Sequence, residues 1–405
     1  MSRIVILGAG HAGGTAAALL RQYGHEGSIA LIGDEPVAPY QRPPLSKAWL
    51  KGETDADSLA LKPAEFYAEA GIDFRPGVSG VSLDRKAKTL RLSTGEDLAY
   101  DTLILATGAR PIRLSTPGAN LGGVLVLRTA ADAEAVKAEL GARKRVAIIG
   151  GGYIGLEVAA SALALGGNAV VIEREKRLLA RSGSQTIAEF FRSYHEARGV
   201  RVLLGASVVG FDGEGGRVSG VRLGDGQLIS CDVALVGVGI MPNDEIAARA
   251  GLSCARGVVV DLAARTSDSS IFAIGDVAHR PLPLYNRMFC PESVPNALEQ
   301  AKQAASAITG RAPPAPEVPW NWSDQFDLKL QIAGLPFDVD RTLVRGDMSA
   351  AKFAVFHLKG DQIQQVEAVN APPEFMAGKQ FILSRKPVDL LKLADPTVSM
   401  KQVAA

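Results

Sequence analysis

The chain has 405 residues. This is too long for a single hydrophobic core, so we expect two or three domains. Its 47% hydrophobic and 21% charged residues are typical of a water-soluble globular protein. A net charge of +1 argues against nucleic-acid binding through bulk electrostatics. No apolar run approaches the ~18 residues of a membrane span, and the apolar start at Ile4 to Leu7 is too short for a signal peptide. We therefore expect a cytoplasmic protein.

The first nucleotide-binding signal lies at the start of the chain. Ile4 to Leu7 predicts a buried strand, Gly8 to Gly14 contains a G-x-G-x-x-G turn, and Thr15 to Leu20 continues as an alanine-rich helix. In such a turn the helix N-terminus presents free N–H groups to a pyrophosphate. A second strand, Ile29 to Ile32, leads to Asp34, an acid placed to bind adenosine ribose hydroxyls. A lone glycine turn is often ligand-free, but this ordered set favours a bound dinucleotide.

A proline-rich segment with two long cations follows. Arg42 and Lys47 either belong to a solvated loop or face an anionic cofactor. In the second case Arg42 would bind phosphate or ribose oxygens, and Lys47 would lie at the reacting end of the cofactor. Short strands are expected to form a meander from Ile72 through Leu92. The apolar strand that begins near Tyr100 ends in the small-residue turn 106–108, which we interpret as the exit from a first domain.

The same order of elements recurs from Val146. A β-branched strand is followed by the turn Gly150 to Gly155, a helix, and a second strand ending at Glu173. This internal repeat predicts two Rossmann-like units. Glu173 is placed to accept a ribose 2′-hydroxyl and to repel a 2′-phosphate, which favours NADH over NADPH. Arg174 and Lys176 weaken that preference, because a nearby cation accommodates a phosphate.

Two features mark the rest of the chain. Gly275 and Asp276 end a predicted strand at a turn into a helix, where Asp276 either caps the helix N-terminus or binds a polyol hydroxyl of a cofactor. The proline-rich linker 312–316 precedes a change of character. From Trp320 onward, aromatic and alternating strand-like runs with a helical tail predict a smaller third domain.

A set of motifs in a fixed order resembles a known family along essentially the whole chain. The set consists of the two G-x-G-x-x-G turns, Pro43-Pro44-Leu45-Ser46-Lys47, Ala106-Thr107-Gly108, Gly150 to Glu157, Gly275-Asp276, Glu292 to Ala297, and Trp320 to Gln325. Each motif alone is weak, whereas the ordered set is specific. It is similar to the FAD-dependent NADH:ferredoxin reductases, the group of putidaredoxin reductase and of the reductase components of aromatic-ring dioxygenases.

The resemblance implies an α/β fold of the glutathione reductase type, with two Rossmann-like dinucleotide-binding domains and a C-terminal α+β domain. It implies an FAD domain formed by residues 1–110 and 241–316, an NAD domain formed by residues 111–240, and a C-terminal domain formed by residues 317–405. The first glycine turn then belongs to FAD and the second to NADH. No metal site is implied.

The resemblance also implies roles for single residues. Lys47 and Glu157 are expected to pair beside the flavin, where Lys47 stabilises the charge of the reduced ring and Glu157 helps to orient the nicotinamide. Trp322 matches an aromatic residue close to the isoalloxazine. The predicted cofactor-binding set is Gly8, Gly10, Ala12, Gly13, Asp34, Arg42, Lys47, Gly80, Ala106, Thr107, Gly108, Arg128, Gly150, Gly152, Tyr153, Ile154, Gly155, Glu173, Gly275, Asp276, Val294 and Trp322.

The cysteines discriminate among proteins of this fold. Disulfide reductases need a cysteine pair near the flavin, and NADH peroxidases and oxidases of the fold use a single cysteine beside it. Cys231, Cys254 and Cys290 form no C-x-x-C pattern, and none lies in the first 230 residues. Thiol chemistry is therefore disfavoured, and direct one-electron transfer from the flavin is expected.

The resemblance implies a [2Fe-2S] ferredoxin partner, with an oxygenase such as a cytochrome P450 or a ring-hydroxylating dioxygenase downstream. Because such ferredoxins are usually acidic, we expect a basic docking rim. Lys62, Lys302 and Arg311 are candidates, although each is equally well an ordinary solvated cation. The alternatives are a rubredoxin reductase, an NADH oxidase, and a non-catalytic flavoprotein of the apoptosis-inducing-factor type. We expect a monomer without nucleic-acid or membrane partners.

Overall fold

The structure is a computed structural model that describes residues 2–63 and 65–405. Its strands in chain order are β1 Ile4–Leu7, β2 Ile29–Ile32, β3 Ile72–Arg75, β4 Gly80–Asp84, β5 Thr89–Leu92, β6 Asp97–Ala99, β7 Thr102–Leu105, β8 Ala109–Pro111, β9 Val124–Leu125, β10 Arg145–Ile149, β11 Asn168–Glu173, β12 Arg201–Leu204, β13 Val208–Glu214, β14 Arg217–Leu223, β15 Leu228–Ser230, β16 Val233–Val236, β17 Ile240–Pro242, β18 Cys254–Ala255, β19 Gly257–Val259, β20 Ile271–Ala273, β21 Ala278–Leu282, β22 Arg287–Phe289, β23 Trp320–Gln325, β24 Leu328–Gly334, β25 Arg341–Asp347, β26 Lys352–Lys359 and β27 Gln362–Val369.

The helices connect these strands. In chain order they are α1 His11–Gln22, α2 Ala48–Lys51, α3 Ala56–Leu59, α4 Phe66–Glu69, α5 Ala130–Glu139, α6 Tyr153–Ala164, α7 Gln185–Glu196, α8 Glu245–Arg249, α9 Val294–Thr309, α10 Pro372–Ser384 and α11 Leu390–Ala394. Short 3₁₀ helices lie at Pro43–Ser46, Gly275–Val277, Pro283–Tyr285 and Met400–Gln402. No helix of the described ranges is both long and apolar enough to cross a lipid bilayer.

The chain divides into two compact units, each formed by separate segments. Unit 1 comprises Met1–Gln41, Ala56–Arg110 and Met241–Asn321, and unit 2 comprises Arg42–Asp55, Pro111–Ile240 and Trp322–Ala405. The predicted division into an FAD domain, an NAD domain and a C-terminal domain stays a prediction.

Unit 1 is built on a parallel sheet in the order β20-β7-β1-β2-β3. Strand β1 lies near its centre and is buried on both faces, with Ile4 and Ile6 in one hydrophobic cluster and Val5 and Leu7 in the other. Burial on both faces explains why β1 is a continuous apolar run without alternation. The expected meander from Ile72 through Leu92 was wrong at its start, because β3 pairs in parallel with β2 and extends this sheet. Only β4, β5 and β6 form the antiparallel meander.

Unit 2 contains a second parallel sheet with the same arrangement, in the order β12-β11-β10-β16-β9. The registers match, since Leu7 of β1 is paired with Ile32 as Ile149 of β10 is paired with Ile172. The predicted internal repeat is therefore confirmed. In both sheets the glycine turn leaves the carboxyl end of the central strand, where ligands of doubly wound sheets bind.

An antiparallel sheet in the order β23-β24-β27-β26-β25 forms the C-terminal part of unit 2. Helix α10 packs on it so closely that a Cβ on Gly378 would lie 2.6 Å from a methyl carbon of Val366. The buried Arg345 guanidinium holds the C-terminal tail by donating to the carbonyl oxygens of Lys392, Leu393, Asp395 and Val398. The third α+β region expected from Trp320 onward thus has a sheet and helices of its own.

Candidate functional site

The two glycine turns have the same backbone geometry. Gly8 and Gly150 have φ of +114° and +106°, a region that favours glycine. A Cβ on Gly8 would lie 2.1 Å from the carbonyl oxygen of Ala106, and one on Gly150 would lie 2.4 Å from that of Gly237. Each turn therefore passes against the residue that follows the neighbouring strand, β7 in unit 1 and β16 in unit 2.

Both turns leave a helix N-terminus ready for an anion. Gly10 and Gly152 are the N-caps of α1 and α6, and neither helix has a side-chain cap or an acid in its first turn. By contrast, the Thr129 and Ser184 side chains cap α5 and α7. A Cβ on Gly152 would meet no heavy atom of the described chain within 4 Å, so the space beside it is open. These uncapped N–H groups fit a dinucleotide pyrophosphate.

The two predicted ribose-binding acids occupy different positions. Glu173 directly follows Ile172, the last residue of β11 that pairs with β10, and its Oε2 accepts from the Gly151 N–H at 2.7 Å, which holds the carboxylate at the turn. Gly33 is the residue at the matching place in unit 1, and Asp34 comes one position later and is exposed. The two acids are therefore not strictly equivalent.

The predicted turn at residues 106–108 is clamped by a residue that the sequence did not point to. Asn243 donates from Nδ2 to the Thr107 carbonyl oxygen at 2.8 Å and from its backbone to the Gly108 carbonyl oxygen at 2.9 Å. The Thr107 hydroxyl in turn donates to the Asn243 carbonyl oxygen. An asparagine 136 positions away has no local signal that links it to this turn.

The helix expected directly after Gly275 and Asp276 is absent from this part of the described chain, so the capping alternative for Asp276 was wrong. Asp276 lies inside a single 3₁₀ turn, Gly275–Val277, which runs into strand β21. Gly275 has φ of +78° and donates its N–H to the buried Gln300 Oε1 at 2.9 Å. The predicted contact residue Val294 begins α9, the helix that carries Gln300.

One buried polar atom near this turn lacks a partner. Gln300 Nε2 finds no hydrogen-bond partner within residues 2–63 and 65–405, although its residue is fully buried. A buried amide without a partner is costly, and a bound group with acceptor oxygens would satisfy it. This orphan donor and the uncapped N-terminus of α1 fit a nucleotide with phosphate and polyol oxygens.

Other predicted residues occupy more ordinary surroundings. Arg42 Nη1 donates to the Arg128 carbonyl oxygen at 2.6 Å, so the structure brings these two predicted cations together within unit 2. Gly80 begins β4, and a Cβ there would lie 2.7 Å from a methyl carbon of Leu7, so this glycine serves close packing. The remaining predicted members, Ala12, Gly13, Tyr153, Ile154 and Gly155, lie in the first turns of α1 and α6, and Ile154 is 42% exposed.

The centre of the candidate site is a buried ion pair in unit 2. Lys47 Nζ lies 3.0 Å from Glu157 Oε2, with side chains only 18% and 5% exposed. Glu157 lies in the second turn of α6, and Lys47 directly follows the 3₁₀ helix Pro43–Ser46. One helical turn beyond Glu157, the Ser161 hydroxyl donates to the Ser46 carbonyl oxygen at 3.0 Å. Helix α6 therefore holds both the carboxylate and the segment that carries the lysine.

Two serines complete the surroundings of the Glu157 carboxylate, and sequence reasoning missed both. The Ser46 hydroxyl donates to Oε2 at 2.5 Å and the Ser323 hydroxyl donates to Oε1 at 2.6 Å. Both serines stand inside quoted motifs, but a serine between apolar or aromatic neighbours carries no periodic signal. Three donors thus offset the cost of removing this carboxylate from water.

Strand β23 carries both Ser323 and the predicted flavin neighbour Trp322, on opposite faces. Ser323 and Gln325 are buried, whereas Trp322 and Asp324 are partly exposed, as expected when successive side chains point to opposite faces. Trp322 therefore faces away from the side that supplies the Ser323 hydroxyl to Glu157.

The sequence matches two known protein families over nearly its whole length. The family described as "Pyridine nucleotide-disulphide oxidoreductase" matches residues 2–301, and "Reductase C-terminal" matches residues 320–404. The chain belongs to the pyridine nucleotide-disulphide oxidoreductases. Members of this family are oxidoreductases that use a pyridine nucleotide and a flavin, and the two uncapped glycine turns of this oxidoreductase suit such ligands.

Individual relatives place the oxidoreductase among the ferredoxin reductases. A "Probable ferredoxin reductase CtmF" from Castellaniella defragrans is 53% identical over 403 residues, covering 99% of this chain and 98% of the relative. A "Rubredoxin-NAD(+) reductase" from Pseudomonas putida is 41% identical over 369 residues, covering 91% and 96%. The crystal structure of a covalent putidaredoxin reductase–putidaredoxin complex superimposes with a TM-score of 0.97 at 39% identity, covering 99% and 98%. The family and the fold class expected from the motifs are confirmed.

The cysteines of this oxidoreductase do not support the disulfide chemistry in the family's name. All three are free thiols. Burial raises the pKa of Cys231 to about 11 and that of Cys290 to about 12, with nearby Asp232 and Glu292 adding to the effect. Burial also raises the pKa of Cys254. Because the thiolate is the reactive form, these raised pKa values disfavour reaction of the three thiols near neutral pH.

Proposed function

We propose that the protein transfers electrons from NADH through a bound FAD to a [2Fe-2S] ferredoxin, which supplies an oxygenase. The observation that carries the proposal is the buried Lys47–Glu157 pair, held by Ser46 and Ser323 on the helix that follows the second glycine turn. The net reaction is NADH plus two oxidised ferredoxins giving NAD⁺, one proton and two reduced ferredoxins. We place this reaction in the cytoplasm, with the protein as a monomer.

Bound FAD supplies the exchange between two-electron and one-electron chemistry, because it accepts a hydride and releases electrons singly. The chain's own residues bind and align. In unit 1 the N-terminus of α1, Asp276 and Gln300 would hold the FAD phosphates and polyol. In unit 2 the N-terminus of α6 and Glu173 would hold NADH by its pyrophosphate and ribose.

Lys47 and Glu157 supply the electrostatics of hydride transfer in this proposal. The Lys47 ammonium offers a fixed positive charge where negative charge develops, and its ion pair keeps that charge oriented. Glu157 neutralises the largely buried lysine and presents a carboxylate in the second turn of α6 for the nicotinamide amide.

The test is rapid mixing of FAD-loaded protein with NADH without oxygen, following the loss of flavin absorbance. Lys47→Met should slow flavin reduction by about 10²-fold, the scale seen when a preorganised transition-state contact is removed. Lys51→Met is the matched control, because Lys51 lies one helical turn further on and pairs with Glu53 at the surface. Equal bleaching rates in Lys47→Met and wild type would contradict the role of the pair.

The electron acceptor is either a ferredoxin or a rubredoxin. The 53% identity to a ferredoxin reductase favours ferredoxin, and the 41% identity to a rubredoxin reductase makes rubredoxin the second candidate. Turnover against a panel of both iron–sulfur proteins decides between them by kcat/KM. A yellow protein that bleaches with NADH but reduces neither would favour the non-catalytic alternative.

The acidic character of the partner is testable by salt. Of the three docking candidates, Lys302 pairs with Glu317 at 3.3 Å, Lys62 lies over the Phe66 ring and Arg311 lies over the Tyr23 ring. Reduction of an acidic ferredoxin should slow as ionic strength rises, whereas reduction of ferricyanide measures any effect of salt on the enzyme itself. A salt response equal for both acceptors would remove the docking argument.

A further inference from the structure

A chain of hydrogen bonds extends from Glu157 into the interior of unit 2. The Ser323 hydroxyl contacts Glu157 Oε1, Gln325 Nε2 lies 2.9 Å from Ser323 Oγ, and His195 Nε2 lies 2.8 Å from Gln325 Oε1. Ser323 and Gln325 are each 1% exposed, and His195 is fully buried. The chain therefore contains three side chains that solvent does not reach, ending on the carboxylate that pairs with Lys47.

The direction of donation along this chain is fixed by chemistry. A carboxylate paired with lysine only accepts, so the Ser323 O–H donates to Glu157. The Ser323 oxygen then accepts from the Gln325 amide N–H, which leaves the amide oxygen to accept from His195. His195 must carry its proton on Nε2, because the amide oxygen it contacts only accepts, and Nδ1 finds no partner in the described part of the chain. Every donor points toward Glu157.

The elements that supply these residues explain why the chain is rigid. Ser323 and Gln325 are two apart on β23 and share its buried face. His195 lies on the buried face of α7 with Ile187 and Phe191, and the Phe326 ring packs edge-on against its imidazole at 5.0 Å between centroids. A chain locked between a strand and a helix holds Glu157 Oε1 in one place and leaves Oε2 to Lys47 and Ser46.

We propose that Ser323, Gln325 and His195 are positioning residues for hydride transfer, which align the Glu157 carboxylate and, through it, the Lys47 ammonium. This inference rests on the proposed function, in which that pair serves the flavin and the nicotinamide. None of the three touches the reacting atoms. Their effect passes through Glu157 alone.

The kinetic test is a double-mutant cycle in the FAD-loaded protein. Ser323→Ala should slow flavin reduction by NADH about tenfold, the equivalent of one charge-assisted hydrogen bond. Gln325→Met removes a hydrogen bond between neutral groups and should slow the same step by a smaller factor. The dissociation constant for NAD⁺ should stay within about twofold, since the turn and Glu173 are untouched. In a Glu157→Gln background, Ser323→Ala should add no further slowing, because the residue through which it acts is already changed.

Matched variants separate positioning from general damage. Ser323→Thr retains the hydroxyl and should restore most of the rate lost in Ser323→Ala. Gln365→Leu removes a buried glutamine of the same sheet that takes no part in the chain, and should leave the rate of flavin reduction unchanged. Losses that multiply in the Glu157→Gln background would overturn the inference, because they would show an effect that bypasses Glu157.

A second readout needs no turnover. Ring-nitrogen NMR of labelled histidine in wild-type protein should show His195 as the neutral Nε2–H form at neutral pH, assigned by the signal lost in His195→Gln. Gln325→Met should shift that signal, and Gln365→Leu should not. An Nδ1–H form would overturn the donor chain. If the NMR expectation holds but Glu157→Gln bleaches at the wild-type rate, the proposed function of the pair has failed rather than the chain.

Discussion

At the scale of single residues, Glu157 illustrates how a buried charge is retained. Its carboxylate is taken out of water on helix α6, a position that would cost several kcal/mol without partners. Lys47, Ser46 and Ser323 provide one ionic and two hydroxyl donors. A carboxylate so completely partnered has one orientation, and one orientation is what a group that aligns a cofactor requires.

The stability of the protein should depend on pH through His195, because burial lowers the pKa of this residue from 6.5 to about 4. The unfolded chain binds a proton at this residue near pH 6.5, whereas the folded chain does so only near pH 4. The folded state therefore loses stability as pH falls through this window, by about 3 kcal/mol in total, and keeps it above pH 6.5.

The measurement is urea unfolding of wild type and His195→Gln at pH 7.5 and pH 4.5. The variant can still donate a hydrogen bond to Gln325 but has no imidazole to protonate. Between the two pH values its free energy of unfolding should therefore fall less than that of wild type, and the difference should be most of the ~3 kcal/mol. The other histidines titrate in both proteins and cancel in the comparison. Parallel losses in the two proteins would show that His195 is not held neutral by burial.

At the scale of elements, different glycines of one turn serve helix packing and ligand binding. Gly155 lies where α6 crosses its strand, and a Cβ there would lie 2.3 Å from the Gly150 carbonyl oxygen. Gly152 lies at the open end of the same helix with no heavy atom of the described chain near its missing Cβ. One glycine is required by the fold, and the other leaves room for a ligand.

Alanine at these two positions should have opposite consequences. Gly155→Ala should destabilise unit 2 by about 2 kcal/mol or more, since helix and strand must separate. Gly152→Ala should leave the thermal unfolding temperature within about 2 °C of wild type, because its φ of −82° suits alanine. It should weaken NADH binding instead. Calorimetry and NADH titration of both variants check this, and an unstable Gly152→Ala protein would contradict the assignment.

At the scale of the whole molecule, two sheets of one topology carry two glycine turns, and a third sheet carries Ser323, one of the three partners of Glu157. The chain returns to each unit more than once, so residues of one cluster come from distant segments. The three cysteines are free and burial raises their pKa values, so we expect electron flow through this molecule to involve no thiol.

A protein in which Cys231, Cys254 and Cys290 are all replaced by alanine should therefore retain NADH-to-ferredoxin turnover within about twofold. The physical reason is that, in the proposed function, electrons would pass from a bound flavin to the partner without a covalent intermediate on a cysteine. Steady-state kinetics with matched FAD content provide the check. A tenfold loss of kcat in a variant with normal unfolding temperature would restore a role for thiol chemistry.

The repeat and its turns were predictable because their signals are local. The apolar strands, the G-x-G-x-x-G spacing and an acid near the end of the second strand lie within about 30 residues in each copy, so periodicity and glycine spacing reveal them. Predictions from the sequence were wrong where the structure of a segment depends on which strand it pairs with. Strand β3 was expected in a meander and a helix was expected directly after Asp276, but β3 pairs with β2 and Asp276 precedes a strand.

The sequence by itself determined the family, the two nucleotide-binding repeats and the absence of a cysteine pair, since each depends on residue identity and short spacing. Only the tertiary structure decided what surrounds Glu157. Ser323 lies 166 residues from it along the chain, and His195 lies 130 residues from Gln325. No periodicity links such positions, because hydrogen bonds between side chains depend on which faces the folded strand and helix bring together.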